Sequence, residues 1–169
     1  KDFTQKYINK DKKKIKIGYY SADFRTHAMG HLLVRMFELH DKSSFELHGF
    51  YFGPPVDQKD LLQKRIIRCF DSFNDISKLN DKSVCDLSKK LEIDIAIDLM
   101  GYTGNRNRFG IFLTKLAPIQ INFLGYPGTS GSKFLDYIVA DKILITKENE
   151  KYYSEKIIYL PDTYQANED

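Results

Sequence analysis

Short strand-like runs alternate with helix-like stretches along almost the whole chain, and no other feature restricts the fold as much. Residues 15–20 (IKIGYY) are dense in β-formers. Residues 31–40 then set Leu32, Leu33, Met36, Phe37 and His40 at helical spacing. Residues 45–52 (FELHGFYF) alternate like a strand, and residues 59–68 are a charged helix carrying Leu61, Leu62, Ile66 and Ile67. A short strand is expected at residues 69–73, and a second charged helix at 82–91 that Asp81 can cap. Residues 93–100 (IDIAIDLM) are apolar apart from Asp94 and Asp98. Residues 109–116 suggest a helix ended before Pro118, followed by strands at 119–124, 134–140 and 156–160. Strand, helix, strand in this order implies βαβ units with right-handed crossovers and a parallel sheet covered on both faces.

Composition bounds the function. At 169 residues the chain suits one domain, residues 14–169, preceded by a polar, periodless linker or tail at 1–13. An apolar fraction of 42% and a charged fraction of 29% are ordinary for a globular protein. No apolar run approaches the ~20 residues that span a bilayer, and the first residues lack the apolar core of a secretory signal. Cys69 and Cys85 fall inside apolar patterns and read as buried free thiols, which fits a reducing, cytoplasmic setting. The net charge of +3 sits largely in Lys10, Lys12, Lys13, Lys14 and Lys16, which read as a solvated tail. Neither a nucleic-acid nor a membrane partner is indicated.

In an open parallel sheet, ligands bind at the carboxyl ends of the strands, so the loops that follow strands carry the chemistry. Three stand out: SADFRTHAMG (21–30), GYTGN (101–105) and GYPGTSG (125–131). All three should emerge on one edge. Each holds glycine, which lets backbone approach a ligand closely. Asp23 and His27 lie four apart where a loop enters a helix; they can share a proton-transfer role or bind sugar hydroxyls. The alternative is a histidine that only satisfies the helix start. Of the two aspartates in IDIAIDLM, Asp98 is the better placed for a site, although an aspartate there also suits a local turn. His31, His40 and His48 fall inside helix and strand patterns and read as structural, and no histidine has partners at metal-ligand spacing, so no metal site is expected. Neither a G-x-G-x-x-G turn nor a Walker A sequence is present, which argues against dinucleotide and P-loop chemistry.

IKIGYYSADFRTHAMGHLL, IDLMGYTGNRN, APIQINFLGYPGTSG, FLDYIVAD and YSEKIIYLPDTYQ, in this order, resemble the catalytic region of O-GlcNAc transferases and their SPINDLY-type relatives over residues 14–165. APIQ followed by LGYPGTSG is the most specific block. The resemblance implies a Rossmann-like α/β lobe, the N-terminal one of a two-lobed GT-B glycosyltransferase, with the C-terminal lobe absent from this chain and helical tetratricopeptide repeats expected upstream. It implies a UDP-sugar donor, most directly UDP-N-acetylglucosamine, protein Ser/Thr acceptors, no metal and no cofactor, and a chain inactive by itself because the missing lobe supplies most nucleotide contacts. His27 and Asp23 match the residues proposed to act in catalysis. Leu124, Gly125, Tyr126 and Pro127 match a wall of the sugar pocket, and Tyr102 and Thr103 match a turn on the acceptor side. Thr26, His27, Ala28 and Met29 depart from the polar surroundings usual in the animal enzymes. Fucose transfer to Ser/Thr, glucose transfer to Asn and a non-catalytic protein-binding lobe therefore remain as alternatives.

Overall fold

A computed structural model describes residues 13–167. The stretch read as a linker lies, apart from Lys13, outside the described residues. Seven strands, β1 (Ile15–Ser21), β2 (Phe45–Tyr51), β3 (Ser72–Asp75), β4 (Ile95–Asp98), β5 (Ile119–Asn122), β6 (Tyr137–Ala140) and β7 (Lys156–Tyr159), form one parallel sheet in the order β3-β2-β1-β4-β5-β6-β7. The order grows outward from β1 in both directions. The chain thus reverses between β1 and β4, the switch point at which such sheets open a crevice beyond their carboxyl ends.

Strand alternation sends neighbouring residues to opposite faces, and both faces are covered. Tyr19, Ile17 and Leu47 pack with Leu33, Val34 and Phe37 of α1 (Ala28–Glu38) and Ile66 of α2 (Leu61–Cys69). Tyr20, Phe50 and Ala96 face Val84 and Cys85 of α3 (Asp81–Lys90) and Ile111 and Phe112 of a 3₁₀ helix, Phe109–Thr114. Tyr20 shows how the second layer is bound. Its ring stacks on Phe50 at 4.3 Å. Ser88 Oγ donates to Leu116 O, so the Tyr20 hydroxyl, 2.8 Å away, donates to Ser88. Burying such a ring without that partner would leave an unmet polar group.

Several element boundaries differ from the sequence expectations. α1 starts at Ala28, three residues early, because His27 caps it. Cys69 closes α2, and β3 begins only at Ser72. α3 is capped by Asn80, whose side chain accepts from Ser83 N; Asp81 is the first helical residue, where the helix dipole favours a carboxylate. Residues 109–114 form a 3₁₀ helix rather than an α-helix, closed by Lys115 in the left-handed region at φ 55°. Lys16 is a β1 residue whose Nζ donates to Leu91 O, so it does not belong with the solvated lysines.

Candidate functional site

Because β1, β4 and β5 are parallel neighbours, the 21–30, 101–105 and 125–131 loops all leave from the same edge of the sheet. The first loop is tightly held. Asp23 N donates to Ser21 Oγ at 2.9 Å, Gln63 Nε2 donates to Phe24 O, and Asp60 accepts from both Thr26 N and Thr26 Oγ1. Asp60 also caps α2 through Gln63 N, so one carboxylate joins the loop to the start of a helix. Asp23 is largely buried, and Arg25 Nη2 donates to its Oδ1 at 3.0 Å. Its Oδ2 lies 3.6 Å from His27 Nδ1.

His27 is half-exposed and is the N-cap of α1: Met29 N donates to Nδ1 at 3.3 Å. A nitrogen that accepts this bond carries no proton, so the neutral ring in this arrangement bears its hydrogen on Nε2. That leaves an N–H donor, together with the neighbouring Asp23 carboxylate as acceptor, in the loop at the switch point. Helix capping and a site role are compatible in this residue because they use different ring nitrogens.

The other two loops interlock. Gly101 stands at φ 56°, and a Cβ there would meet Tyr126 Cβ at 2.6 Å; a Cβ on Gly125 would meet Leu99 O at 2.1 Å. Leu124 also adopts a left-handed φ of 69° while buried. Such a conformation in a non-glycine residue costs roughly 1–3 kcal/mol and tends to be kept where a site needs it. The strained turn presents Tyr126 and Pro127 exposed to solvent. Tyr102 meets Tyr126 edge-on at 5.8 Å and Phe109 at 4.7 Å, and its hydroxyl donates to Ser130 O. Thr103 Oγ1 donates back to Met100 O, closing the turn. Asp23 with His27 forms one cluster and Tyr102 with Tyr126 another. Ser21 Oγ, 3.6 Å from Met100 Sδ, links their bases.

Two buried side chains lie beneath the second cluster. Asp98 and Asn122 are register partners at the ends of β4 and β5. Asp98 Oδ1 accepts from Met100 N and Gly101 N, while Asn122 Nδ2 donates to Tyr126 O. Asp98 Oδ2 and Asn122 Oδ1 have no partner within the described residues. Burial pushes the Asp98 carboxyl up to about 6 against the pull of the Gly101 and Met100 amides. His40 and His48 are structural: the first bonds to the Tyr19 hydroxyl, the second to Ser72 Oγ. His31 lies within α1.

The residues missed from sequence are those that hold the 125–131 loop from a distance. Glu155 is buried and accepts from Thr129 Oγ1, Ser130 N and Ser130 Oγ. The available signal was the YSEK block itself, which carries polar groups just ahead of a strand.

The model for glycosyl transferase family 41 matches residues 1–168. The chain is 33% identical over 157 residues to an Arabidopsis thaliana protein named probable UDP-N-acetylglucosamine–peptide N-acetylglucosaminyltransferase SEC, covering 92% of this chain and 16% of that protein. It is 34% identical to the Caenorhabditis elegans UDP-N-acetylglucosamine–peptide N-acetylglucosaminyltransferase, covering 89% of this chain and 13% of the relative. Among solved structures, a mutant of Thermobaculum terrenum O-GlcNAc transferase superposes with a TM-score of 0.85 at 29% identity, over 90% of this chain and 29% of that one. The chain thus spans about a sixth of the length of the Arabidopsis relative.

Proposed function

We propose, because this chain belongs to glycosyl transferase family 41, that it is one Rossmann-like lobe of a two-lobed enzyme moving N-acetylglucosamine from UDP-N-acetylglucosamine to serine or threonine hydroxyls of proteins. The observation that carries this reading is the gathering, at the switch-point edge, of the Asp23–His27 pair and the strained Leu124–Gly125 turn. The acceptor oxygen attacks the anomeric carbon, the carbon–oxygen bond to the diphosphate breaks, and UDP leaves with the electron pair. The acceptor proton passes to a carboxylate or to water. Asp23, with Oδ2 not engaged by Arg25, suits that proton, and the Nε2–H of His27 suits a hydrogen bond that orients the sugar or acceptor. Leu124, Gly125, Tyr126 and Pro127 wall the sugar pocket, with Tyr102 and Thr103 toward the acceptor.

Transfer on this reading needs the remainder of a longer protein: a second lobe for the nucleotide and upstream helical repeats for acceptor proteins. It involves no metal and no cofactor beyond the sugar donor, and it takes place in a reducing compartment such as the cytoplasm, where Cys69 and Cys85 remain thiols. No helix among the described residues is long and apolar enough to cross a membrane. The test is a transfer assay on the full-length protein, without added metal, using UDP-N-acetylglucosamine, UDP-glucose and a nucleotide-activated fucose. Label on Ser/Thr from the first donor supports the reading. A preference for fucose, or for glucose on asparagine, reassigns the donor, and no transfer from any donor leaves a protein-binding lobe.

A further inference from the structure

We propose that Glu155 is a positioning residue for the sugar-pocket wall, acting with Tyr153 and Ser154 as a polar lock on the 125–131 loop. The proposal rests on the reading of that loop given above. This loop is the beginning of the connection from β5 to β6, which contains no helix, so little regular structure holds it. What holds it comes from residues 153–155, just ahead of β7. Glu155 Oε2 accepts from Thr129 Oγ1 at 2.8 Å. Its Oε1 accepts from Ser130 N at 2.8 Å and also from Ser130 Oγ. Ser154 N donates to Thr129 Oγ1 at 3.1 Å, and the Tyr153 hydroxyl donates to Pro127 O at 3.3 Å. Thr129 Oγ1 in turn accepts from Gly131 N. Three consecutive side or main chains of one segment therefore grip Pro127, Thr129 and Ser130 of the other.

The chemistry of the grip suits positioning. Glu155 is only 5% exposed, and among the described residues it pairs with no cation. A buried carboxylate without a counter-ion is costly unless hydrogen bonds satisfy it. Burial pushes the Glu155 carboxyl up, yet the bonds from Ser130 and Thr129 outweigh this and hold it below the usual range. Its charge is thus spent on the loop. The loop passes the constraint on: Ser130 O accepts from Tyr102, on the acceptor-side turn, and Pro127 belongs to the wall. A misplacement of about 1 Å in a wall of this kind can cost on the order of a hundredfold in rate, so a residue that never touches the sugar can set donor affinity.

The experiment uses the full-length protein, UDP-N-acetylglucosamine and a protein acceptor, with Glu155→Ala, Glu155→Gln, Thr129→Val and the Glu155→Ala/Thr129→Val pair. Glu155→Ala is expected to raise the KM for the donor about tenfold with a smaller change in kcat, the signature of lost ground-state positioning. Glu155→Gln keeps an acceptor for the Ser130 amide and is expected to recover part of the loss. The double variant is expected to be no worse than the more severe single variant, since both remove one lock. A lowered melting temperature with an unchanged KM overturns the proposal, because the role is then structural only. If Glu155→Ala fails to fold, Thr129→Val decides the question by the same KM. Hydrogen exchange at the Ser130 amide, read in the 169-residue chain, tests the lock without activity. Faster exchange in the variants supports it, and unchanged protection overturns it. Should the wild-type protein transfer no N-acetylglucosamine, the functional reading fails, and the exchange data still judge the lock.

Discussion

The imidazole of His27 accepts the Met29 amide through Nδ1 and lies 3.6 Å from Asp23 Oδ2 through the same atom, so removing it takes away a helix cap and a candidate site group together. His27→Ala is expected to lower stability by about 1 kcal/mol through the lost cap and to reduce kcat/KM in the full-length enzyme by roughly 10²–10⁴-fold. His27→Asn separates the two effects, since asparagine caps well but has no Nε2–H at the same reach. Melts near wild type with transfer still lost would place His27 in the chemistry; normal turnover in His27→Asn would reduce it to a cap. Asp98 gives a second residue-scale outcome. Its folded pKa of about 6 stands above the ordinary 3.8, so between those values the folded state binds more protons than the unfolded one, and stability falls as pH rises from about 4 through about 6. The full effect is about 3 kcal/mol. Protonated Asp98 also supplies a hydroxyl donor beside its register partner Asn122, whose Oδ1 otherwise lacks one. Asp98→Asn keeps the acceptor for Met100 N and Gly101 N and does not titrate. Its melting temperature is expected to exceed wild type at pH 7 and to converge with it near pH 4. Profiles that run parallel across that range would show that burial of this carboxyl carries no such penalty.

At the level of elements, β4 and β5 are separated by a 3₁₀ helix in sequence but press their exit turns together in space. The fit depends on Gly125, where an added Cβ would stand 2.1 Å from Leu99 O, a backbone atom that cannot swing aside. Gly128 differs: the nearest atoms its added Cβ would meet, from 2.8 Å, are the outer atoms of the Tyr126 ring, a side chain 37% exposed that can give way where a backbone carbonyl cannot. Gly125→Ala is therefore expected to cost at least about 2 kcal/mol and Gly128→Ala under about 1 kcal/mol, read as melting shifts of the chain. Equal shifts would show that the turns do not interlock as described. Much of this layer was legible in the sequence. The alternation of strand and helix patterns gave the parallel sheet, and the glycines after three strands marked the three exit loops. The boundaries were less legible because they rest on single polar side chains. Asn80, not Asp81, caps α3, and His27 begins α1 ahead of the apolar run that signals it. β3 was displaced because Cys69 and Phe70 bury against α1 and the sheet as the end of a helix, not as a strand. Glu155 was legible only as a polar residue of the YSEK block, not as a partner of the 125–131 loop: its partners lie 25 and 26 residues away, and no local period reports a hydrogen bond of that separation.

For the molecule as a whole, the sheet edge offers the strained Leu124–Gly125 turn and the Asp23–His27 pair but little to hold a diphosphate. Dinucleotide-binding sheets place pyrophosphate on the open amides of the first helix after β1. Here that position is taken, since the His27 side chain already accepts from Met29 N and α1 has no glycine-rich entry. Two of the arginines nearby are committed as well. Arg25 is bonded to Asp23, and Arg108 reaches Ile76 O and Leu79 O and pairs with Asp81. Arg106, exposed on the loop after β4, is the guanidinium there without such a pairing among the described contacts. Arg106 and the exposed Lys133, whose Nζ lies 5.7 Å from the Phe134 ring centroid just past the 125–131 loop, give only a screened, modest attraction to a dianion. The chain alone is therefore expected to bind UDP no better than about millimolar, and the full-length protein at least about a hundredfold more tightly, roughly 2.7 kcal/mol, through a second lobe that closes over this edge. Calorimetry of UDP against both decides the matter. Low-micromolar binding to the chain alone would mean that the nucleotide site lies on this lobe, with Arg106 the first residue to replace in locating it; equally weak binding by both proteins would remove the second lobe from the donor site.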